Sequence, residues 1–372
     1  AGRIRISIEE NFEQTQSYIG TTIPEKWFQQ LRDYSYAFLD EEGEIFTERM
    51  KEGRIRNCHG DLHAQNIYFW DQIYILDCIE FNERFRFIDV ACDVAFLIMD
   101  LEYRGFMGLA NRFLNTYLQH TGDYGLVGVL DFYKIYRAYV RGKIASFESS
   151  TEGLPHQQKE EAKQKAESYF SLAYRYLKRG KRPILLATTG VIGSGKTHLA
   201  RTLANLLGGV VIRSDAVRKA IAGVEVTEHR YEPFGKGIYS EAFTKKVYDQ
   251  LLVEARGILA AGLPVILDAS FSKGWQREKV AAFAQANGCP FLFIQTLCRK
   301  EAILKRLQDR ESRGRDISDA RADLMEAQMA SYEEPTEIPE RHLLRVDTER
   351  RLNLDELERQ IKRKLEELPY PF

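Results

Sequence analysis

Apolar and polar positions change rhythm part-way along this chain. Through residues 1–57 apolar residues recur at helical spacing with aromatic and charged residues mixed among them, as in "IPEKWFQQLRDYSYAFLDEE", and mostly helix is expected. The stretch "IRNCHGDLHAQNIYFWDQIYILDCIEF" then alternates loop with β-like runs. "IYF" and "IYILDCIEF" predict two short strands joined by a polar turn around Asp71. From Phe87 to about Ser149 the helical period returns, in "DVACDVAFLIMDLEYRG" and "VLDFYKIYRAYVRGKIASFE". Polar "ESSTEGLPHQQ" breaks it, and a charged helix is expected over roughly 157–179.

Past Lys181 the pattern is different. "ILLATTG", "VVIRSD", "GLPVILDAS", "PFLFIQTLC" and "HLLRVDT" are apolar runs of strand length. "GKTHLARTLANLL", "RKEAILKRLQDRESRGR" and "NLDELERQIKRKLEEL" separate or follow them as amphipathic helices. Such alternation implies a parallel sheet with helices on both faces. The expected organisation is a mainly α, α+β domain over 1–180 followed by an α/β domain over 181–372 with a parallel sheet and helices on both faces.

Composition narrows the class. A length of 372 residues suits two domains. Lys plus Arg (53) nearly balances Asp plus Glu (54), so net charge points neither to nucleic acid nor to an anionic membrane. The longest apolar runs are short and broken by Gly, and no transmembrane helix is expected. The five Cys are scattered without a CxxC pair, which fits reduced thiols in a cytoplasmic protein.

The second half carries the clearest chemistry. Gly190, Gly195, Lys196 and Thr197 fit GxxxxGK[ST], after a strand and opening a helix. Gly193, Ser194 and His198 complete the run that would surround a nucleotide's phosphates. Glycines let successive backbone N–H groups turn toward phosphate oxygens, and the helix N-terminus adds partial positive charge. Lys196 can reach the β- and γ-phosphates of ATP, and the Thr197 hydroxyl can ligate Mg²⁺. "IRSDAVRK" puts Asp215 and Arg218 just after the second strand, at the sheet edge where ligands bind. There Asp215 can accept the proton of an attacking hydroxyl, or cap a helix beginning at Ala216. Asp268 ends "VILD" and can hold Mg²⁺ through water. Arg306, Arg310, Arg313 and Arg315 crowd one segment, which reads as a lid over the phosphates or, for some of them, a solvated basic face.

"GVIGSGKTHLA", "IRSDAVRK", "YEPFGKGIYS", "GLPVILDASF" and "RLQDRESRGRDISDA" together resemble the small P-loop kinases. That group includes gluconate kinase, chloramphenicol phosphotransferase, zeta toxin and the kinase domain of phage polynucleotide kinase. The resemblance implies ATP and Mg²⁺ as cofactors, Asp215 as base and Arg310 and Arg313 within a catalytic lid. It leaves the hydroxyl acceptor open, from small molecules to nucleotide or polynucleotide ends.

The first half holds a second motif, "HGDLHAQN" from His59. Asp61 and Asn66 flank a tight loop, and Asp77 is expected to end the next strand, so three oxygen donors can converge on a hard cation. Residues 59–93 resemble the C-lobe of the aminoglycoside phosphotransferase and choline kinase family. The resemblance implies that Asp61 takes the acceptor hydroxyl's proton, that Asn66 and Asp77 ligate Mg²⁺, and that His59 and Asp93 brace the loop. Only 58 residues precede His59. They show no Gly-rich loop and no strand-borne Lys, with Lys26 and Lys51 in helical or loop segments. A family N-lobe takes about 100 residues, and with Ala1 opening the chain a fragment is expected. The whole resembles a bacterial fusion of a phosphotransferase-like C-lobe with a P-loop kinase-like domain.

Smaller features are weaker. Cys58 reads as an apolar neighbour of the loop rather than a nucleophile. His63 fits a substrate contact or a surface loop equally well. Arg137, Arg141 and Lys143 suit an amphipathic helix with snorkelling basic residues better than a ligand grip. Tyr231, Phe234 and Tyr239 suit an acceptor-side loop or packing. The leading expectation is an ATP- and Mg²⁺-dependent phosphotransferase working through the P-loop. A regulatory ATPase with a ligand-sensing first domain, and a small-metabolite kinase working through Asp61, are the alternatives.

Overall fold

The structure, a computed structural model, describes residues 2–228, 235–313 and 325–368. The chain divides into two units. One takes Ala1–Ala110 and Gly125–Gly180, the other Asn111–Tyr124 and Lys181–Phe372.

The first unit is mainly helical. Helices α1 (Gly2–Thr15), α2 (Glu25–Glu41) and α3 (Gly43–Lys51) open it, as their apolar spacing predicts. Strand β1 (Ile55–Asn57) leads to the motif loop, then to β2 (Ile67–Phe69) and β3 (Ile73–Ile75), an antiparallel hairpin. A short α4 (Glu83–Arg86) precedes β4 (Phe87–Asp89), which pairs antiparallel with β1. Strand β4 differs from the sequence reading, which extended helix back to Phe87, while β1 opens the stretch read as alternating loop and β-like runs. Three-residue strands are too short to show a period of two, and only their mutual pairing defines them.

Helix α5 (Val90–Tyr103) is buried at every position from Ala91 to Asp100, the pattern of a helix enclosed on all sides. The Asp89 carboxylate caps it, accepting the Ala91 N–H at 2.9 Å, and pairs with buried Arg49 through two contacts of 2.7 and 2.8 Å. Helix α6 (Met107–Thr121) follows, and from Asn111 onward its residues belong to the second unit. Then α7 (Val127–Ser150) and α8 (His156–Lys178) complete the helical set, with the charged helix where the sequence places it. Stacked rings fill this core: Phe38 on Phe132 at 4.6 Å, Phe12 edge-on to Phe28 at 5.5 Å, Phe12 against Tyr139 at 4.6 Å.

The β2–β3 hairpin breaks the inside-out rule. Trp70 is 89% exposed, Phe69 79% and Ile73 63%. Contiguous exposed apolar surface favours self-association. Changing Phe69 and Trp70 together to Ser is therefore expected to raise the soluble fraction on concentration and reduce binding of a hydrophobic dye, with the melting temperature within about 2 °C of the parent. Static light scattering and thermal unfolding check both.

The second unit is built on a five-stranded parallel sheet, β5 (Leu185–Thr189), β6 (Val210–Arg213), β7 (Val265–Asp268), β8 (Phe291–Leu297) and β9 (Leu343–Asp347), in the order β6-β7-β5-β8-β9. Its helices are α9 (Lys196–Leu207), α10 (Ser214–Ile221), α11 (Glu241–Ala260), α12 (Gly274–Ala286), α13 (Lys300–Arg313), α14 (Met325–Ser331) and α15 (Leu354–Glu366). Leu199 and Leu203 of α9 join Leu357, Ile361 and Leu365 of α15 over Leu186, Val211, Ile266 and Ile294. On the opposite face Tyr248 of α11 packs edge-on against Phe271, and Phe271 against Phe293. Strands buried on both faces read as continuous apolar runs, which is why the sequence shows them plainly.

Residues 111–124 complete this unit. Strand β6 is an edge, with backbone groups that would otherwise lie unpaired. The Asn115 carboxamide occupies that edge: its Oδ1 accepts the Val211 N–H at 2.6 Å, and its Nδ2 donates to the Gly209 carbonyl at 3.1 Å. Asn111 Nδ2 donates to the same carbonyl at 2.9 Å. Asn115→Ala is expected to destabilise the protein by about 2–3 kcal/mol, because it strands a buried N–H. Urea unfolding of the parent and variant reads this directly.

Candidate functional site

The phosphate cradle forms where β5 ends and α9 begins. Gly190, Gly193 and Gly195 carry φ of 146, 73 and 94°, values that favour glycine. Space forbids side chains as well: a Cβ on Gly190 would lie 2.3 Å from Thr296 Oγ1, and one on Gly193 2.9 Å from Ile303. The loop is braced from behind. Ser194 Oγ donates to the Val191 carbonyl at 2.7 Å and shares a 2.6 Å hydrogen bond with Thr296 Oγ1. Thr348 Oγ1 donates to the Ser194 carbonyl at 2.7 Å. Lys196 reaches across the loop, its Nζ donating to the Val191 carbonyl at 2.7 Å. Thr197 is half-buried on the first turn of α9 and His198 is exposed beside it.

The neighbouring strand ends supply the acids. Asp268 ends β7, opposite Arg213 of β6 in register. Both are buried, and Arg213 Nε lies 3.3 Å from Asp268 Oδ2. Asp215 lies in the first turn of α10, which begins at Ser214, so it is inside the helix and not at its cap. A carboxylate there still sits favourably at the positive end of the helix. Arg218 is buried, with Nη1 donating to Thr244 Oγ1 at 3.2 Å and its guanidinium 4.8 Å from the Tyr239 ring centre. Tyr231 and Phe234 lie outside the described residues. So do the side chains of Arg310 and Arg313, and Arg315 as a whole. Arg306 is placed: its Nη1 donates to Thr348 Oγ1 at 3.2 Å, so it braces the threonine that braces the cradle.

Phe271, just past β7, is fully buried with φ of 41°, a strained value for a bulky residue. Its carbonyl is held by Arg277 Nη1 at 2.7 Å and Thr189 Oγ1 at 3.2 Å. The preceding carbonyl, of Ser270, accepts the Gly190 N–H at 3.1 Å. The turn after β7 is thus tied to the first glycine of the cradle. Sequence reasoning missed Thr296, Thr348 and Phe271, because each acts through a contact far away in the chain.

In the first unit the motif loop is ordered by buried acids. Asp93 accepts the His59 N–H at 2.7 Å and the Gly60 N–H at 3.0 Å, and Asp100 accepts the Ala64 N–H at 2.9 Å. Asn66 Nδ2 donates to the Asp61 carbonyl at 3.1 Å and lies 3.4 Å from its Oδ2. His63 is buried, not on the surface. Its Nδ1 accepts the Gln65 N–H at 3.3 Å, which leaves the proton on Nε2, 3.2 Å from Asp61 Oδ2. Burial pushes the Asp61 carboxyl up, but the hydrogen bond from His63 and the charges of Arg137 and Arg141 outweigh it and hold it below the usual range. Asp61 is therefore a carboxylate at neutral pH, the form that accepts a proton.

Asp77 lies two residues beyond β3, not at its end, with φ of 64°. Cys58 is pushed up to about 11, chiefly by burial, so it is a thiol and not a nucleophilic thiolate. Arg137 is buried 3.6 Å from Asp93, and Lys143 donates to Asn11 at 2.6 Å, so both serve the helix packing. Among the described residues, no group of three or more His, Cys, Asp or Glu is gathered as for a metal ion, and no helix is long and apolar enough to cross a membrane.

Residues 185–335 match the model of a family described as an AAA domain. The strand, glycine loop and helix of that span are a P-loop unit in both sequence and geometry. An uncharacterized protein of Mycobacterium tuberculosis (strain H37Rv) is 36% identical over 228 residues, 61% of this chain and 44% of that protein. The match thus spans less than half the length of that curated relative. Among solved structures, a sugar kinase from Janibacter sp. is 21% identical with a TM-score of 0.37, covering 50% of this chain and 96% of that one. A gluconokinase from Sinorhizobium meliloti is 20% identical with a TM-score of 0.35, covering 50% and 94%.

Proposed function

We propose that the chain is an ATP- and Mg²⁺-dependent phosphotransferase that moves the γ-phosphate to a hydroxyl, with its working site in the P-loop unit. The observation that carries the reading is the glycine cradle at the head of α9, with the Lys196 ammonium lying across it. The cradle's N–H groups and the helix end bind the phosphates. Lys196 leaves the Val191 carbonyl and neutralises charge on the transferring phosphoryl group. Asp215, at the carboxyl edge of the sheet, accepts the hydroxyl proton.

Thr197 and Asp268 are the groups that would hold Mg²⁺. A hydroxyl and a carboxylate are hard oxygen donors of the right kind, and the Arg213 contact on Asp268 favours a hold through water rather than direct ligation. When bound, the ion would supply charge neutralisation on the nucleotide's phosphates. Arg310 and Arg313 complete the reading as lid residues. The acceptor is a small molecule or a nucleotide or polynucleotide end.

ATP labelled at the γ-position, offered with pooled hydroxyl acceptors, tests this. Label on an acceptor supports the kinase. Label released only as phosphate supports a regulatory ATPase instead and overturns the proposal.

One observation favours a second reading. The loop of the first unit holds Asp61 as a carboxylate with Asn66 beside it, braced by Asp93 and Asp100. On that reading a small metabolite is phosphorylated there, with Asn66 and Asp77 as the residues that would hold Mg²⁺. Asp61→Asn would then be the damaging change.

A further inference from the structure

The first unit contains a cavity of about 1130 Å³ whose lining includes no residue of the motif loop. One wall is the turn Gly20–Pro24, the other is α8, with Trp27 and Tyr103 at its sides. The turn is rigid. Gly20 has φ of 80°, and the Tyr18 carbonyl accepts the N–H groups of Thr21 and Thr22, each at 3.0 Å. Thr22 Oγ1 is fixed to Ser146 Oγ at 2.7 Å.

Both aromatic residues are pre-set. Trp27 is stacked on Tyr174 at 5.0 Å, and Tyr103 on Tyr169 at 4.0 Å, each pair within 16° of parallel. Each ring is therefore held from one side by a neighbour while it lines the cavity. Rigid aromatic surface binds apolar faces at low entropic cost.

The α8 wall is polar throughout. Gln164, Glu167, Ser171 and Arg175 recur at one-turn spacing along the helix face that lines the cavity. Among the described residues, no hydrogen bond or ion pair engages their side chains or the Trp27 indole N–H. Their charges sum to zero, one carboxylate against one guanidinium. Donors and acceptors thus alternate along a line, facing aromatic surface, without net charge.

The ligand that matches is neutral, rich in hydroxyl groups and apolar on its ring faces. We propose that this cavity is a carbohydrate-binding site for a short neutral saccharide, separate from both phosphotransfer loops. Sugar rings lie against Trp27 and Tyr103, while their hydroxyls exchange hydrogen bonds with Gln164, Glu167, Ser171 and Arg175. A cavity of this size exceeds what one ring needs and takes two or three.

Calorimetry on the full chain tests this with neutral trisaccharides (maltotriose, cellotriose and triacetylchitotriose) beside a cationic glucosamine trimer and an anionic galacturonate trimer. At least one neutral sugar is expected to bind with a Kd of about 1 mM, and both charged trimers about tenfold more weakly or not at all. Trp27→Ala, and Ser171→Trp, which fills the cavity from an outward helix face, are each expected to weaken binding about tenfold. Lys196→Ala binds as the parent does, so failure of the phosphotransfer reading leaves this result untouched. The proposal is overturned by silence from every neutral sugar up to about 20 mM, by preference for a charged trimer, or by parent-like binding in a folded Ser171→Trp.

Discussion

Lys196→Ala is expected to reduce transfer of the γ-phosphate by about a thousandfold or more, while ATP binding weakens by only about tenfold. The difference follows from how the cradle is made. On the proposed reading its phosphate contacts would be backbone N–H groups, in a loop set by Gly190, Gly193 and Gly195 and braced by Ser194, Thr296 and Thr348. None of these depends on the Lys196 side chain, so the nucleotide still has a seat. What disappears is a positive charge that matters most when charge develops on the moving phosphoryl group. Lys196→Arg is the sharper control: it keeps the charge but not its reach, and should recover binding without recovering rate. Fluorescent-nucleotide titration and labelled-ATP transfer separate the two quantities. Turnover that survives Lys196→Ala sinks the P-loop assignment. If Asp61→Asn then abolishes it, the motif loop of the first unit is the working site.

Much of the P-loop unit could be read from the chain because its signals are local. The strands are fully buried and stand out as apolar runs, and the glycine loop carries its φ requirements in three residues. The loop of the first unit was readable for the same reason, since Asp61 and Asn66 lie five residues apart in one motif. What escaped notice depends on long-range pairing. Strands β1 and β4 exist only as partners of each other. Asn115 reads as one polar residue in an amphipathic helix, yet it closes the edge of a sheet formed about a hundred residues later. His63 is the exception, since its partners Gln65 and Asp61 are each two residues away; what the chain does not show is its burial. Arg213 reads as the polar end of a strand, and its burial is the least expected feature of the site.

That burial leads to the second large effect. Arg213→Met is expected to destabilise the protein by about 3–5 kcal/mol. The Arg213 and Asp268 side chains are 1% and 5% exposed, and each carries a charge that water no longer solvates. Methionine fills the volume of the arginine stem but leaves the Asp268 carboxylate without that guanidinium. Removing one member of a buried pair is costlier than removing both, because the lone charge keeps its full desolvation penalty. The double change Arg213→Met with Asp268→Leu should therefore be more stable than Arg213→Met alone, by about 2 kcal/mol in urea unfolding. Stability and activity then part company. The double variant regains its fold but lacks the Asp268 carboxylate, so its Mg²⁺-dependent transfer should stay low. A double variant that regains both would remove Asp268 from the metal's surroundings and leave the ion pair as a fastener between β6 and β7. A double variant no more stable than Arg213→Met would instead place the energy of Arg213 in its packing rather than its charge.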